Sequence, residues 1–219
     1  MRYAVLGTGM VGRTLASKLA ELGHEVRMGS RDASNEAASE WAAGAGEGAT
    51  NGDFADAAAF GEVVLNATAG VASLDALRAA GPDNLAGKVL IDVANPLDFS
   101  QGMPPRLSVC NDDSLGEQIQ RELPDARVVK ALNTVNASVM VEPAKVPGDH
   151  SIFVCGDDAG AKGEVTALLH EFGWPEGSVV DLGGIDAARG MEMYLPLWLR
   201  LFGAAGTPNV NVQLRVGAA

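Results

Sequence analysis

Residues 2–12, Arg-Tyr-Ala-Val-Leu-Gly-Thr-Gly-Met-Val-Gly, decide the fold of this chain. Residues 2–6 are a short, mainly apolar run that predicts a buried β-strand, and a G-x-G-x-x-G pattern follows directly. Residues 10–22 carry apolar side chains at helical spacing, and residues 25–29 predict a second strand. A lone glycine pattern is weak, but one that ends a strand, opens a helix and precedes another strand is typical of a dinucleotide-binding site.

Each glycine of the pattern has a separate physical role in such a site. Gly7 permits the tight turn after the strand, Gly9 lets the backbone approach a pyrophosphate, and Gly12 lets the helix pack closely on the strand. The helix that begins here would offer free N–H groups and the positive end of its dipole to the phosphates. The alternative interpretation is a glycine-rich turn in an ordinary α/β protein.

The end of the second strand indicates which dinucleotide is bound. Sites for NAD place Asp or Glu about 20 residues after the glycines, where it accepts a hydrogen bond from the ribose 2′-hydroxyl. Ser30 and Arg31 occupy that place here, and Asp32, one position later, is free to point into solvent. A carboxylate would repel a 2′-phosphate, whereas a hydroxyl and a guanidinium hold one through charge-assisted hydrogen bonds. We therefore expect NADP(H); the alternative is that Arg31 is only an exposed loop charge.

Length, composition and net charge limit the class of protein and the partners that the chain can have. The 219 residues suffice for one large domain, or one domain with a small appendage, and 47% of them are hydrophobic. The net charge of −12 argues against nucleic acid and anionic membrane surfaces as partners. The first strand begins at residue 2 and no run of about 18 apolar residues occurs, so we expect no signal peptide, no membrane span and a cytoplasmic location. Cys110 and Cys155 are expected to be free thiols, and their spacing suggests no metal site.

The rest of the chain alternates predicted strands and helices, which predicts an α/β fold of the Rossmann type with a doubly wound parallel sheet. We divide it into a dinucleotide-binding domain, 1–135, and a small C-terminal α/β extension, 136–219. Ser34 is expected to cap a helix that ends at Ala43, and Ser114 with Glu117 to form a capping box. Residues 97–113 lack periodicity, which favours a functional loop.

The last third contains a helix and a tail with unusual patterns. Residues 186–202 predict a helix that is apolar on nearly every face, buried on several sides and kinked at Pro196. Residues 209–216 alternate with period two, which predicts an edge strand. Together these features suggest that the chain forms a homodimer; a helix buried within one chain explains the pattern equally well.

Ligands of a doubly wound sheet bind beyond the carboxyl ends of its strands. No histidine, cysteine or carboxylate suited to general-base work falls at these ends, because His24, His150 and His170 lie elsewhere. Hydride transfer between two rings needs mainly stacking and orientation, whereas alcohol oxidation needs a base. The pattern therefore favours ring-to-ring hydride transfer without a catalytic side chain. The strand ends supply these candidate cofactor-binding residues: Ala67, Thr68, Asn95, Pro96 and Asn133.

Four motifs carry a resemblance to a known family. The glycine pattern, Gly29 to Asp32, Val128 to Thr134, and the stretch from Asp181 to Arg189 together resemble the NADP oxidoreductase, coenzyme F420-dependent, family. The resemblance implies a Rossmann domain with a small C-terminal part, often dimeric, and hydride exchange between NADPH and an 8-hydroxy-5-deazaflavin. By position it implies that Thr8, Gly9, Met10 and Val11 hold the pyrophosphate, that Ser30 and Arg31 hold the 2′-phosphate and that Ala137 lies by the nicotinamide.

This chain departs from the archaeal members of the family at two positions. Those members carry a lysine near Asn35, as a second phosphate ligand, and a histidine where Asn133 stands. The motifs also resemble the cytosolic domain of membrane metalloreductases, which pass electrons through flavin to metal. The motifs therefore do not fix the small-molecule acceptor, for which the resemblance implies a deazaflavin, coenzyme F420, or a flavin.

Two other functions remain open on the sequence alone. One is an imine reductase resembling pyrroline-carboxylate reductase, with Lys130 or Thr134 near the substrate. The other is a non-catalytic NADP(H)-binding sensor, whose loop at 97–113 reports the state of the cofactor to a partner. A sensor binds NADPH without turnover, whereas the two enzymes differ in the acceptor that they reduce.

Overall fold

The structure is a computed structural model that describes residues 1–217, and these residues are built around one eight-stranded sheet. Its eight strands are β1 (Arg2–Leu6), β2 (Glu25–Ser30), β3 (Ala49–Asp53), β4 (Val63–Asn66), β5 (Val89–Asp92), β8 (Arg127–Ala131), β9 (Ile152–Cys155) and β10 (Val179–Asp181). Two short strands, β6 (Leu97–Asp98) and β7 (Arg106–Leu107), form a separate pair. The strand order confirms the predicted Rossmann-type fold, because β3-β2-β1-β4-β5-β8 is the order of a doubly wound sheet.

One pair in this sheet is not parallel. Strand β9 runs antiparallel to β8, while β10 runs parallel to β9 and closes that edge. The predicted parallel sheet is confirmed as mostly parallel, and this antiparallel pair is its exception, where the C-terminal extension joins it. The C-terminal part of the chain thus extends the same sheet that begins at residue 2.

Helices cover both faces of the sheet, so its central strands are buried on both sides. Helices α1, α2, α7 and α8 contribute to the core on one face, and α3, α4, α5, α6 and α9 to the core on the other. The helices are α1 (Met10–Glu21), α2 (Glu36–Gly44), α3 (Phe54–Phe60), α4 (Ser73–Ala80), α5 (Pro82–Leu85), α6 (Leu115–Glu122), α7 (Ala137–Val141), α8 (Ala159–Glu171), α9 (Ala188–Met193) and α10 (Leu195–Ala205).

The two predicted helix caps have different outcomes. Ser114 accepts from the backbone N–H of Glu117 at 3.1 Å and its hydroxyl lies 2.7 Å from the Glu117 carboxylate, which confirms this N-terminus of α6. Asn35, rather than Ser34, caps α2, with its Oδ1 accepting from Ala38 at 3.0 Å. Ser34 is wrong as a cap because its hydroxyl and N–H both donate to Asp32 in the turn before the helix.

Three short elements escaped the sequence pattern. Residues 97–113 contain a two-stranded antiparallel hairpin, in which β6 pairs with β7. Helices α5 and α7 span only four and five residues, which is too short for helical periodicity to be visible.

The predicted helix over 186–202 is two helices, α9 and α10, that meet at Tyr194. Pro196 stands in the first turn of α10, where its missing N–H costs no helical hydrogen bond. The prediction of burial holds for α9, where Ala188, Met191 and Glu192 are buried, and is wrong for α10, where Leu195 alone is buried. The apolar faces of α10 are thus left open on the described chain.

The tail after α10 does not join the sheet. The predicted edge strand at 209–216 is wrong, since residues 209–217 belong to no strand. The tail contacts the residue before β9 instead: the backbone N–H of Ser151 donates to the carbonyl of Val212, and the Asn211 side chain donates to the carbonyl of Ser151. Within residues 1–217, no helix is both long and apolar enough to cross a bilayer.

Candidate active site

In the glycine loop between β1 and α1, backbone contacts leave no room for a side chain at Gly7 or Gly12. A Cβ on Gly7, where φ is +117°, would lie 2.6 Å from the carbonyl oxygen of Ala67. A Cβ on Gly12 would lie 2.0 Å from the carbonyl oxygen of Gly7, so the start of α1 sits directly on the loop. At Gly9, by contrast, an added Cβ would meet no described atom within 4 Å. Packing within the chain therefore does not require glycine at position 9.

The N-terminus of α1 remains available to a ligand. Gly9 is its N-cap residue, and no side chain of the described residues caps it. Unpaired N–H groups at such an end attract phosphate through hydrogen bonds and the helix dipole. The open space beside Gly9 and these free N–H groups fit the pyrophosphate of a dinucleotide.

The end of β2 lies next to the glycine loop, since Leu6 pairs with Gly29. Ser30 is buried and donates its hydroxyl hydrogen to the carbonyl of Asp32 at 2.5 Å, while Arg31 is exposed. Among the described residues, Arg31 forms no ion pair. The N–H and hydroxyl of Ser34 lower the pKa of Asp32 and turn its carboxylate into that local turn. The Arg31 guanidinium thus has no ion-pair partner among the described residues, and the Asp32 carboxylate is already hydrogen-bonded to Ser34. This arrangement fits a 2′-phosphate at the end of β2.

A cleft of about 520 Å³ opens beyond the carboxyl ends of β4, β5 and β8. Seven predicted site residues line it: Met10, Val11, Ala67, Thr68, Asn95, Asn133 and Ala137. Gly7, Thr8, Gly9 and Gly12 lie in the adjoining glycine loop, and Ser30 and Arg31 at the end of β2. Pro96 differs, because it is buried and lines a separate depression with Gly70 and Ser108. Whether any of these residues binds the cofactor stays a prediction.

The cleft has walls that the sequence pattern did not reveal. Val71 and Phe99, which are large exposed side chains, line the cleft together with Leu195 and Trp198 from α10. Phe99 belongs to the aperiodic segment 97–113, whose length was the signal for a functional loop. Trp198 had no such signal in the sequence, because an apolar helix is equally typical of a buried core and of the lining of a ligand site.

Of the described residues that line the cleft, Asp98 alone has an ionisable side chain. The N–H of Ser100 at 2.8 Å and then its hydroxyl at 2.9 Å lower the pKa of Asp98. A carboxylate held ionised in this way is a weak base. Sequence reasoning missed Asp98, because it stands two residues into the loop rather than at a strand end.

Two asparagines form a rigid polar wall on the cleft. Asn95 donates from Nδ2 to the backbone carbonyl of Asn133 at 2.9 Å. Asn133 donates from its own Nδ2 to Oδ1 of Asn95 at 2.9 Å and to the carbonyl of Met191 in α9 at 3.1 Å. The loop after β8 is thereby tied both to β5 and to the C-terminal helices.

Lys130 lies beneath this wall in a fully buried cluster of charges. Its Nζ lies 2.7 Å from Asp92, 2.7 Å from Glu192 and 2.6 Å from the carbonyl of Ala94. Burial opposes the charged form of Lys130, but the two carboxylates outweigh it and raise its pKa. Burial also raises the pKa of Glu192, which Lys130 opposes. Lys130 therefore stays protonated and is not free to act on a substrate, and neither it nor Thr134 is among the described residues lining the cleft.

Arg189, a motif residue, pairs with Glu117 rather than with its neighbour Glu192. Its Nε lies 2.9 Å and its Nη2 2.5 Å from the two oxygens of Glu117. This bidentate pair lowers the pKa of Glu117. Arg189 thus joins α9 to α6.

The histidines and cysteines lie away from the cleft. His24 contacts Glu171, His150 lies between Pro143 and Asn211, and His170 contacts the carbonyl of Trp174. Both cysteines are free, and burial raises the pKa of Cys155 to about 12. Residues 1–217 contain no cluster of three or more His, Cys, Asp or Glu side chains that could hold a metal ion.

Known proteins of similar sequence indicate the family to which the chain belongs. The sequence profile of the family described as NADP oxidoreductase coenzyme F420-dependent matches residues 2–96. The F420-dependent NADP reductase of Methanothermobacter thermautotrophicus is 34% identical over 99% of this chain and 91% of that protein. The chain belongs to the coenzyme F420-dependent NADP oxidoreductase family. It is an NADP-dependent oxidoreductase of the Rossmann type, as the motifs predicted.

Solved structures agree with this membership. An Arthrobacter sp. FB24 protein, named as a candidate F420-dependent NADP-reductase, is 54% identical, with a TM-score of 0.93 over 99% of this chain and 100% of that one. An imine reductase from Bacillus cereus is only 20% identical, with a TM-score of 0.63 over 94% of this chain and 62% of that one. The second likeness shows a shared fold alone.

Proposed function

We propose that this oxidoreductase exchanges a hydride between NADP(H) and the deazaflavin coenzyme F420 in the cleft described above. One observation carries the proposal: a largely apolar cleft adjoins the glycine loop, and its one ionisable lining residue is a carboxylate already bound to Ser100. Alcohol or imine chemistry needs a proton donor or base at the substrate, whereas hydride transfer between rings does not. Two curated relatives are named F420-dependent NADP reductases, and these names give the same pair of cofactors, NADP and F420.

The residues of the chain would divide the binding of NADP(H) between them. The open backbone at Gly9 and the first N–H groups of α1 would hold the pyrophosphate, with Ser30 and Arg31 at the 2′-phosphate. Ala137 and Asn133 would line the nicotinamide end of the cleft. NADPH supplies a hydride when bound, and the deazaflavin is its acceptor.

The apolar lining of the cleft has a role in catalysis of this kind. Phe99, Val71 and Trp198 line the cleft with hydrocarbon and aromatic surface. Such surface excludes water and orients flat rings, which lets two reacting carbons approach without a catalytic side chain. The chain would therefore accelerate transfer chiefly through position.

An isotope-transfer experiment tests the proposal. The purified protein is mixed with NADPH deuterated at the transferable position and, in separate reactions, with F420, FMN, a ferric chelate or a cyclic imine. We expect fast oxidation of NADPH with F420 and deuterium on C5 of the reduced deazaflavin, measured by mass spectrometry. Imine reduction without F420 reduction would favour the imine-reductase alternative. Tight binding of NADPH without any turnover would favour the sensor.

We also propose that α10 joins two copies of the chain into a dimer. Leu197 is 55% exposed and Phe202 and Met193 are each 38% exposed along this helix and the one before it. Homodimer interfaces are more apolar than the rest of a surface, and a second copy would bring an equally apolar helix. The second copy would also stand next to the cleft, since Leu195 and Trp198 of α10 line it.

A further inference from the structure

The side-chain oxygen of Asn133 is a buried acceptor to which no described residue donates. Asn133 is 2% exposed, and its Oδ1 lacks a hydrogen-bond partner among residues 1–217. Asn133 is also one of the residues that line the cleft. Buried polar groups nearly always have partners, because an unpaired one loses its hydrogen bonds to water without replacement.

The orientation of this amide is set by its neighbours. A backbone carbonyl only accepts, so the Asn133 atom that lies 3.1 Å from the carbonyl of Met191 is the Nδ2 donor. Asn95 is oriented in the same way, because its Nδ2 faces the carbonyl of Asn133. Rotating either amide would bring two carbonyl oxygens together. Oδ1 of Asn133 therefore remains the unpaired atom.

Another asparagine on the same cleft shows the contrast. Oδ1 of Asn136 accepts from the backbone N–H of Ser138 at 3.1 Å and from its hydroxyl at 2.9 Å, as the cap of α7. The side-chain oxygen of Asn136 therefore accepts hydrogen bonds within the chain, whereas in Asn133 only the side-chain nitrogen has partners among the described residues. Of these two asparagines on the cleft, Asn133 alone keeps an unpaired side-chain oxygen.

The backbone before Asn133 is strained, which points in the same direction. Leu132 has φ of +65° and is 1% exposed. Left-handed backbone is unfavourable for a bulky residue, and such strain persists where surrounding contacts require it, often at functional sites. Here the strained residue directly follows β8 and precedes Asn133, which lines the cleft.

We propose that Oδ1 of Asn133 accepts a hydrogen bond from the carboxamide NH₂ of the nicotinamide, an inference that rests on the proposed function. The carboxamide is the hydrogen-bond donor that the nicotinamide ring itself carries. A fixed acceptor on the wall would hold the ring in one rotation and thereby present one face to the acceptor ring. The wall that fixes Asn133 includes Met191, so α9 supports the site indirectly.

A pair of cofactors that differ only in this NH₂ group tests the inference. The 3-acetylpyridine analogue of NADP⁺ carries CH₃ where NADP⁺ carries NH₂. Binding of each is measured by titration calorimetry to the wild type and to Asn133→Ala. We expect the wild type to bind NADP⁺ about three- to tenfold more tightly than the analogue, as one neutral hydrogen bond requires. Asn133→Ala should weaken NADP⁺ by a similar factor and the analogue by less than about twofold.

The matched control is Asn136→Ala, which should change the binding of both cofactors by the same factor. Equal losses of NADP⁺ and analogue on Asn133→Ala would overturn the inference and assign Oδ1 to a ribose hydroxyl or to water. Equal affinity of the wild type for the two cofactors would overturn it even if the variant fails to fold. Absence of NADP⁺ binding to the wild type would instead overturn the proposed function as well.

Discussion

Arg31 is the residue on which cofactor choice depends most directly. Its guanidinium is exposed beside the buried Ser30, and it has no carboxylate partner among the described residues. We expect Arg31→Ala to weaken NADPH by roughly tenfold to a hundredfold, because a hydrogen bond to a charged group contributes about 1.5–3 kcal/mol. NADH, which lacks the phosphate, should bind almost unchanged.

Fluorescence titration of both cofactors measures this effect. Arg27→Ala is the control, because Arg27 lies earlier on β2 and contacts Thr50 and the ring of Phe60 instead. Equal weakening of NADPH and NADH by Arg31→Ala would contradict the assignment.

Asp98 tests, also at the scale of one residue, whether the chemical step uses a protein acid or base. Its carboxylate already accepts two hydrogen bonds from Ser100, which lower its pKa. We expect Asp98→Asn to keep the single-turnover rate of hydride transfer within about threefold, since lost acid–base catalysis costs about 10²–10⁴. Alanine at His24, His150 or His170 should behave in the same way. A hundredfold loss at any of these four positions would identify a catalytic residue and contradict direct transfer.

At the scale of elements, Glu192 ties α9 to two other parts of the fold. Its carboxylate accepts from the N–H groups of Leu115 and Gly116 at 2.8 and 3.0 Å, at the start of α6, and pairs with Lys130. We expect Glu192→Ala to lower the free energy of unfolding by about 3–5 kcal/mol, since it removes one of the two carboxylates that neutralise the buried Lys130 and leaves the first N–H groups of α6 without their acceptor. Urea titration measures the change.

A surface pair provides the control for this variant. Glu164→Ala removes one of the two carboxylate partners of Arg127, whose side chain is partly exposed, and should cost about 1 kcal/mol or less. Similar losses from the two variants would mean that the buried cluster contributes no more than a surface pair does.

The contact between α6 and α9 should also depend on pH through Glu117. Arg189 lowers the pKa of this carboxyl in the folded state, so its contribution to stability is present above the unfolded value, about 4.3, and is lost as the pH falls through the lower folded value. We expect the free energy of unfolding to decrease on acidification in this window. Glu117→Gln should show a shallower decrease between about pH 5 and pH 3 in urea titrations. An unchanged slope would show that the pair does not couple to folding.

For the whole molecule, the apolar surface of α10 predicts self-association. Leu197→Asp would place a charge at the centre of the proposed interface, where an unpaired buried carboxylate is costly. We expect the wild type to sediment as a dimer and Leu197→Asp as a monomer in analytical ultracentrifugation. Met103→Asp is the control, because Met103 is 72% exposed on the loop before β7 and lies outside α10. A monomeric wild type would contradict the dimer.

The sequence by itself was enough for the features that depend on neighbouring residues. The glycine pattern, the alternation of strands and helices, and Ser30 with Arg31 are all readable within about 30 residues, because periodicity and turn chemistry are local properties. They predicted the doubly wound fold and the family. They also named seven of the residues that line the cleft, whereas Pro96 lines a neighbouring depression, because a strand end fixes backbone position but not which side a residue faces.

Only the tertiary structure decided which groups meet and which remain unpaired. Asn133 and Met191 are 58 positions apart, so no local pattern could show that their contact leaves one amide oxygen free. Lys130 could have been a substrate-binding amine, until packing enclosed it between Asp92 and Glu192. The apolar pattern of α10 could not distinguish core from open surface, because burial is a property of the packed chain and periodicity records only which faces are apolar.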